Sequence, residues 1–368
     1  MRIVFVTPTL KTGGGNRVFV ELANQLVKKH QVYIVAPHNS AERHTFMIDP
    51  DVEVKSVGKV ALNNIIKLYN IFLTIFYLNK EHRRDIIICS DPLFCIFMTL
   101  IKTKQLYRFL QSDDYRIFDD GMILGKGIIL SLFKRMTLCG YRKRNVKFIF
   151  NSKYVFDRFC SDSGRVDVPF FIAHPALNHE IFNDRDRLSK SPQLIISLIA
   201  RKHPLKGIST FINVWHNLPI EYKKAVSQVI LVSHDDLSSF DTTGMDIVVP
   251  KSDMDIAGVY RKSDIFISTS WQEGFGLPPL EAMACGCAVI CSDAGGINEY
   301  AENNVNCMIY EPKSEIELKN CIIKMITDSN MRSALVNNAI KKSEKFSWEN
   351  SAKQLVTIID HNIGNHSC

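Results

Sequence analysis

Two glutamates with seven residues between them, Glu273 and Glu281, bracket a turn rich in glycine and proline: Ser270-Trp271-Gln272-Glu273-Gly274-Phe275-Gly276-Leu277-Pro278-Pro279-Leu280-Glu281-Ala282-Met283-Ala284-Cys285-Gly286. Gly274 and Gly276 let a backbone turn sharply and come close to a ligand. Pro278-Pro279 suit the first turn of a helix, where no backbone donor is missed, and Gly286 suits its C-terminal cap. The amides at such a helix start attract anions, and a carboxylate can accept two hydrogen bonds from a vicinal diol. The loop is therefore equipped to hold a phosphate and a sugar, with a glutamate on each side. The alternative is a plain Gly-Pro turn ahead of a surface helix. A second group of residues follows the apolar run Leu194–Ala200: Arg201, then Lys206-Gly207. Two cations at a strand end can clamp a diphosphate and neutralise charge that builds on it as it departs. Arg201 would do so as a planar fork and Lys206 as a point charge. Taken singly, either would be an ordinary solvated side chain.

Short apolar strands alternating with helical stripes must position these groups. Arg2–Pro8 reads as a strand, Asn16–Lys29 as a helix with an apolar stripe, and Gln31–Ala36, Asp85–Cys89 and Val146–Asn151 as buried strands. The grammar restarts with Leu194–Ala200, a helix from about Lys206, and strands at Gln228–Ser233, Ile247–Val249, Asp264–Ser268 and Ala288–Cys291. This is an α/β pattern of parallel sheets covered on both faces. The 368 residues accommodate two such domains. The charged, aperiodic stretch 183–192, ending in Ser191-Pro192, reads as the linker between a domain over 1–182 and one over 193–345. With 46% apolar and 23% charged residues, the composition excludes a disordered or collagen-like chain. Ten scattered cysteines without a CxxC pair, behind an N-terminal apolar run too short for a secretory leader, point to reduced thiols in the cytosol.

Together the two constellations resemble the C-terminal domain of the family 4 glycosyltransferases, retaining enzymes of the GT-B fold. The resemblance rests on Glu273 and Glu281, on Arg201 with Lys206-Gly207, on Ser292-Asp293-Ala294-Gly295-Gly296-Ile297-Asn298-Glu299, and on Phe346-Ser347-Trp348-Glu349. It implies two Rossmann-like domains whose parallel sheets face a central cleft, with a helix over 346–368 crossing back to the first domain. It also implies a nucleotide-sugar donor. Arg201 and Lys206 would bind the diphosphate, Glu281 the ribose, and Glu273 with the backbone of Gly274, Phe275, Gly276 and Leu277 the sugar. Glu273, Arg201 and Lys206 would then be catalytic. No cofactor or metal is expected; Asp49-x-Asp51 and Asp253-x-Asp255 read as polar loops.

In the first half, Gly13-Gly14-Gly15 lies between the first strand and first helix. A dinucleotide-binding reading fails because Val18 stands where Gly or Ala is needed and the second strand ends without an acidic residue. By resemblance, Gly14 and Gly15 turn their amides to the donor. Gln111 occupies the place of a histidine that many family members carry near the donor sugar, and Asp113 or Asp114 is a candidate acceptor contact.

Residues 1–180 carry 26 Lys and Arg against 16 Asp and Glu. Ile65–Leu78 is apolar apart from Lys67, Asn70 and Thr74, which share one helical face, and it is too short to span a bilayer. It reads either as a domain helix with a wide core face or as a helix lying in a membrane interface. The basic stretch Arg142, Lys143, Arg144 and Lys147 beside apolar helices favours anionic lipid over nucleic acid, for which no motif is present. The resulting expectation is a cytoplasmic glycosyltransferase, peripheral on the inner face of the cell membrane. It would move a sugar to a saccharide acceptor, lipid-linked, in cell-surface polysaccharide or lipopolysaccharide assembly. The alternatives are a nucleotide-sugar epimerase of the same fold and a non-catalytic nucleotide-sugar-binding protein.

Overall fold

The computed structural model describes residues 1–10, 14–38, 47–61, 63–90, 97, 100–112, 128–142, 146–187 and 193–364. The chain divides into two compact units, Met1–Pro175 with Trp348–Cys368, and Ala176–Ser347. In the first, β1 (Arg2–Val6), β2 (Gln31–Pro37), β3 (Glu53–Val57), β4 (Ile86–Cys89), β5 (Leu106–Leu110) and β6 (Lys147–Phe150) form a sheet in the order β3-β2-β1-β4-β5-β6. All pairings are parallel. Among the described residues the strands are joined by α1 (Gly14–Leu26), α2 (Asn64–Glu81) and α3 (Ile128–Tyr141), and α4 (Lys153–Ser163) follows β6. Side chains alternate between the faces of a strand. Val4 and Val6 thus join a core with Ile71, Ile75 and Leu78 of α2 and Phe159 of α4. Phe5, between them in sequence, meets Phe19 of α1 at 4.9 Å.

The second unit repeats the plan. Its strands are β7 (Leu194–Ile199), β8 (Val226–Val232), β9 (Asp246–Val248), β10 (Ile265–Ser268), β11 (Ala288–Ser292) and β12 (Met308–Tyr310), in the order β12-β11-β10-β7-β8-β9. Helices α5 (Ile208–His216), α6 (Ile220–Lys223), α7 (Asp253–Lys262), α8 (Leu277–Ala284), α9 (Glu315–Thr327) and α10 (Ser329–Ser343) surround it. Read from the β9 edge, this is the doubly wound order of the first sheet. The order reverses between β1 and β4 in one sheet and between β7 and β10 in the other, and ligands of open α/β sheets bind beyond the strand ends at such a reversal. The last helix, α11 (Trp348–Gly364), belongs to the first unit and packs on α1. Ser351 Oγ donates to the His174 carbonyl at 2.5 Å, and the His174 amide donates to Gln354 Oε1 at 3.0 Å.

Two sequence expectations need correction, and α2 shows a face the sequence left open. The unit boundary falls between Pro175 and Ala176, and residues 183–187 belong to the second unit rather than to a linker. The charge that suggested a linker has a structural use: Arg187 donates to the Cys285 carbonyl at 3.1 Å and the Ser263 carbonyl at 2.8 Å. The rest of the expected linker, 188–192, lies outside the described residues.

Of Lys67, Asn70 and Thr74 on α2, the last two turn inward and Lys67 stays exposed. Asn70 and Thr74 are buried, while Ile65, Leu68, Tyr69, Phe72 and Phe76 are exposed. Asn70 Nδ2 donates to the carbonyls of His38 at 3.2 Å and Lys59 at 2.8 Å, and its Oδ1 accepts from the Lys59 amide at 3.2 Å. It thereby satisfies backbone groups in the loops after β2 and β3, which a buried apolar residue could not do.

The four-residue basic cluster is not a uniform solvated patch. Lys147 is drawn into β6, where Nζ donates to Gln105 Oε1 at 2.7 Å and lies 5.3 Å from the centre of the Tyr107 ring. Burial lowers its pKa. Arg142 Nε reaches the Ser163 carbonyl at 3.4 Å, and Lys143 and Arg144 lie outside the described residues.

Candidate active site

The C-terminal ends of β7 and β10, neighbours at the strand reversal, carry the charged groups singled out in the sequence. Beyond β7 the chain makes a tight turn, Pro204–Lys206, closed by a hydrogen bond from the Leu205 amide to His203 Nδ1 at 3.2 Å. Gly207 ends the turn at φ +60°. A Cβ there would stand 2.2 Å from the Thr269 carbonyl oxygen and 2.7 Å from Trp271 Nε1. Glycine is thus required both by its backbone angle and by the approach of the β10 loop. That approach is fixed by two bonds: the Trp271 amide donates to the Leu205 carbonyl at 2.7 Å, and Thr269 Oγ1 donates to the Lys206 carbonyl at 2.8 Å. The ammonium of Lys206 consequently meets Glu273, with Nζ 2.6 Å from Oε1 in a half-buried ion pair.

Glu273 is held from behind by the loop after β11. Its amide donates to the Ala294 carbonyl at 2.8 Å, and its carbonyl accepts from the Gly296 amide at 2.9 Å. A Cβ on Gly296 would lie 2.1 Å from the Gly274 carbonyl oxygen. Gly276, at φ +81°, then turns the chain into α8. The Tyr300 hydroxyl donates to its carbonyl. Tyr300 is buried, with its ring 5.5 Å from Phe275 and 6.1 Å from Phe346. Burial pushes the Tyr300 phenol well above its ordinary pKa, so it stays a donor at any physiological pH.

Phe275 packs its ring into this aromatic cluster, so it can offer a ligand only its backbone. Leu277 opens α8, where the first amides of a helix have no intrahelical acceptor. Glu281 sits one turn further along α8 and is buried.

Arg201 does not stand alone. Its Nε donates to Asp235 Oδ2 at 3.0 Å, and the Lys202 amide donates to the same oxygen at 2.8 Å. Bonding through Nε aims the fork while leaving its two terminal nitrogens without a protein partner among the described residues. Burial pushes the Asp235 carboxyl up, but the Lys202 amide and the Arg201 guanidinium outweigh it and hold it below the ordinary carboxylate range.

The second unit therefore joins Lys206 to Glu273, and places Arg201 just beyond β7, Gly274 and Gly276 before α8, and Glu281 within α8. The first unit separately joins Gly14 and Gly15, at the start of α1, to Gln111 at the end of β5, whose Nε2 donates to the Gly15 carbonyl at 3.1 Å. Asp113 and Asp114 lie outside the described residues. Sequence reasoning missed Asp235, which lies in Ser233-His234-Asp235-Asp236 just after a strand, where an acidic residue can orient a neighbouring cation. It also missed Tyr300, which looks like any core tyrosine. Among the described residues no group of three or more His, Cys, Asp or Glu side chains is arranged to hold a metal ion.

Residues 180–342 match the family described as Glycosyl transferases group 1. The second unit is a group 1 glycosyl transferase domain. Among curated relatives of this transferase domain, the serotype-specific mannosyltransferase WbdA of Escherichia coli is 28% identical over 179 residues, 46% of this chain and 22% of the relative. The chain spans about a quarter of the length of the first curated relatives it matches. Solved structures extend the likeness beyond the transferase domain. The sucrose-phosphate synthase of Thermosynechococcus elongatus superimposes with a TM-score of 0.81 over 99% of this chain and 100% of its own, at 15% identity. HepE of Anabaena, solved in complex with UDP and glucose, gives 0.74 over 97% and 99%, at 17% identity. The two doubly wound units are those of the GT-B fold.

Proposed function

We propose that the chain is a retaining glycosyltransferase, moving a sugar from a nucleoside diphosphate sugar to a saccharide acceptor. The observation that carries this reading is the Lys206–Glu273 pair at the strand reversal of a group 1 transferase domain, beside the start of α8. A diphosphate laid across that start would meet the fork of Arg201 and the ammonium of Lys206. These are the two cations whose attraction grows as the leaving group gains charge. Glu273, the partner of Lys206, would then accept hydrogen bonds from hydroxyls of the transferred sugar. Glu281, deeper in α8, suits the ribose diol.

In the step itself the bond between the anomeric carbon and the phosphate oxygen breaks, its electron pair leaving with the diphosphate. The acceptor oxygen bonds the carbon on the same face and passes its proton to the departing phosphate oxygen. This front-side path needs no enzyme nucleophile. Arg201 and Lys206 stabilise the departing charge, and Glu273 orients the sugar. The relative named as a serotype-specific mannosyltransferase supports an acceptor in cell-surface polysaccharide or lipopolysaccharide assembly. The HepE complex supports a nucleotide-sugar donor. A lipid-linked acceptor and work at the cytoplasmic face of a membrane complete the reading. Among the described residues no helix is long and apolar enough to cross a membrane.

The test is incubation with a panel of nucleotide sugars and saccharide acceptors, read by proton NMR. The expected product keeps the anomeric configuration of the donor. Inversion would remove the front-side mechanism, and interconversion of the donor sugar without an acceptor product would replace transfer by epimerisation.

A further inference from the structure

Helix α2 is apolar on both sides: Ile71, Ile75 and Leu78 join the core, and a second apolar stripe faces solvent. Ile65, Leu68, Tyr69, Phe72 and Phe76 form a stripe at helical spacing on its exposed side, while Asn70 and Thr74 occupy the core side. From Ile65 to Phe76 the stripe runs roughly 16 Å at 1.5 Å per residue. A helix on a protein surface ordinarily turns its apolar stripe to the core. Contiguous exposed apolar surface of this kind marks a contact with a partner or a membrane. Phe97 extends the patch, its ring 4.9 Å from that of Phe72.

The surroundings identify the partner. Lys67, Lys80, Arg83 and Arg84, on α2 and just after it, are exposed, as is Lys102 before β5. Glu81, the exposed acidic residue of α2, is paired with Lys80 at 3.2 Å. We infer that this face of α2 docks on an anionic lipid bilayer, with the stripe seated among the upper acyl chains and the cations at the headgroups. Such helices lie in the interface plane with the apolar face roughly 5–10 Å deep. A second copy of the chain is disfavoured because a two-fold contact is self-complementary. Whichever way the two helices ran, exposed cations at Lys67, Lys80, Arg83 and Arg84 would face one another with Glu81 as the acidic residue of α2.

Of the two segments expected at a membrane, the inference keeps α2 and sets aside Arg142–Lys147, where Lys147 is tied into the sheet. The inference rests on the part of the proposed function that places the chain at a membrane; its failure would remove that part and leave the transfer reaction standing.

The test is flotation of the whole chain with vesicles of phosphatidylcholine, alone or mixed with phosphatidylglycerol. Binding is expected to the mixed vesicles only. It should weaken but persist in about 1 M salt, where the Debye length falls to about 3 Å. The triple variant Ile65→Gln, Tyr69→Gln, Phe76→Gln removes side chains that are 79%, 56% and 68% exposed, so folding should be retained. It should lower partition at least about tenfold, with an unchanged circular dichroism spectrum. Should the triple variant misfold, Phe76→Gln alone should still lower partition by about threefold. Wild-type protein that ignores anionic vesicles, a folded variant that binds them equally well, or a dimer in sedimentation equilibrium that the same substitutions dissolve would each overturn the inference.

Discussion

Lys206 and Glu273, 67 residues apart in sequence, form an ion pair of 2.6 Å beyond the adjacent ends of β7 and β10. The pair exists because Gly207 lets the two loops touch and because the loop after β11 fixes the backbone of Glu273. Its two members have separate expected duties once a donor is bound. Lys206→Ala and Arg201→Ala should each lower transfer by about 10²-fold, the scale for loss of one charge contact in a transition state. Both lie in loops, so folding should survive. Steady-state kinetics of the purified variants checks this, and near-normal turnover in either would remove that residue from the diphosphate clamp.

The two glutamates should separate in binding. Glu281→Ala is expected to weaken nucleoside diphosphate affinity, because a ribose contact does not depend on the sugar. Glu273→Ala should leave that affinity nearly intact while cutting transfer. Calorimetric titration of each variant reads the difference, and equal losses of affinity would contradict the division.

Gly207→Ala should be costly at a site with no catalytic side chain. The alanine would have to hold φ +60° with its Cβ 2.2 Å from the Thr269 carbonyl oxygen. A loss of about 1–3 kcal/mol is the scale for such strain. Denaturant unfolding would measure it, and a fall in transfer should accompany it as Lys206 is displaced.

Tyr300→Phe isolates a positioning role. The Gly276 carbonyl would lose its buried donor, a cost of about 1–3 kcal/mol. The loop before α8 would loosen, so the KM for the donor should rise more than kcat falls. A variant with altered kcat and unchanged KM would point away from loop positioning.

The Arg201–Asp235 pair gives a pH signature. Asp235 has a folded-state pKa depressed below the ordinary carboxylate range. Its contribution to stability is therefore complete above the unfolded value, about 3.9, and is lost as pH falls through the lower folded value. Wild type should melt above Asp235→Asn at neutral pH, and the gap should close below about pH 4. A gap that persists in acid would show that the carboxylate charge is not what stabilises the pair.

Much of the transferase domain could be read from the chain because its strands are short runs of Ile, Val and Leu and its site residues follow strand ends. Arg201 follows β7 and Glu273 follows β10, a placement visible in sequence order alone. Other elements lacked such a signal. β3 is an edge strand, Glu53–Val57, with four exposed residues and no apolar run. β5 has no unbroken apolar run because Arg108 interrupts it, yet Arg108 is buried. The face of α2 could not be assigned because Asn70 earns its burial from the carbonyls of His38 and Lys59, distant in sequence. Asp235 and Tyr300 act on site residues 34 and 24 positions away. Such pairings arise from strand order, which local spacing does not reveal.

The most direct test of the central claim, that the β7–β10 switch point holds a nucleoside diphosphate sugar, is calorimetric titration of the common nucleoside diphosphates into wild type, Arg201→Ala and Lys206→Ala. The account predicts that at least one nucleotide binds wild type and that each substitution weakens it by about tenfold or more, the scale of a single charge-assisted contact. Binding unchanged by both substitutions, or no binding of any nucleotide to the folded wild-type chain, would contradict it.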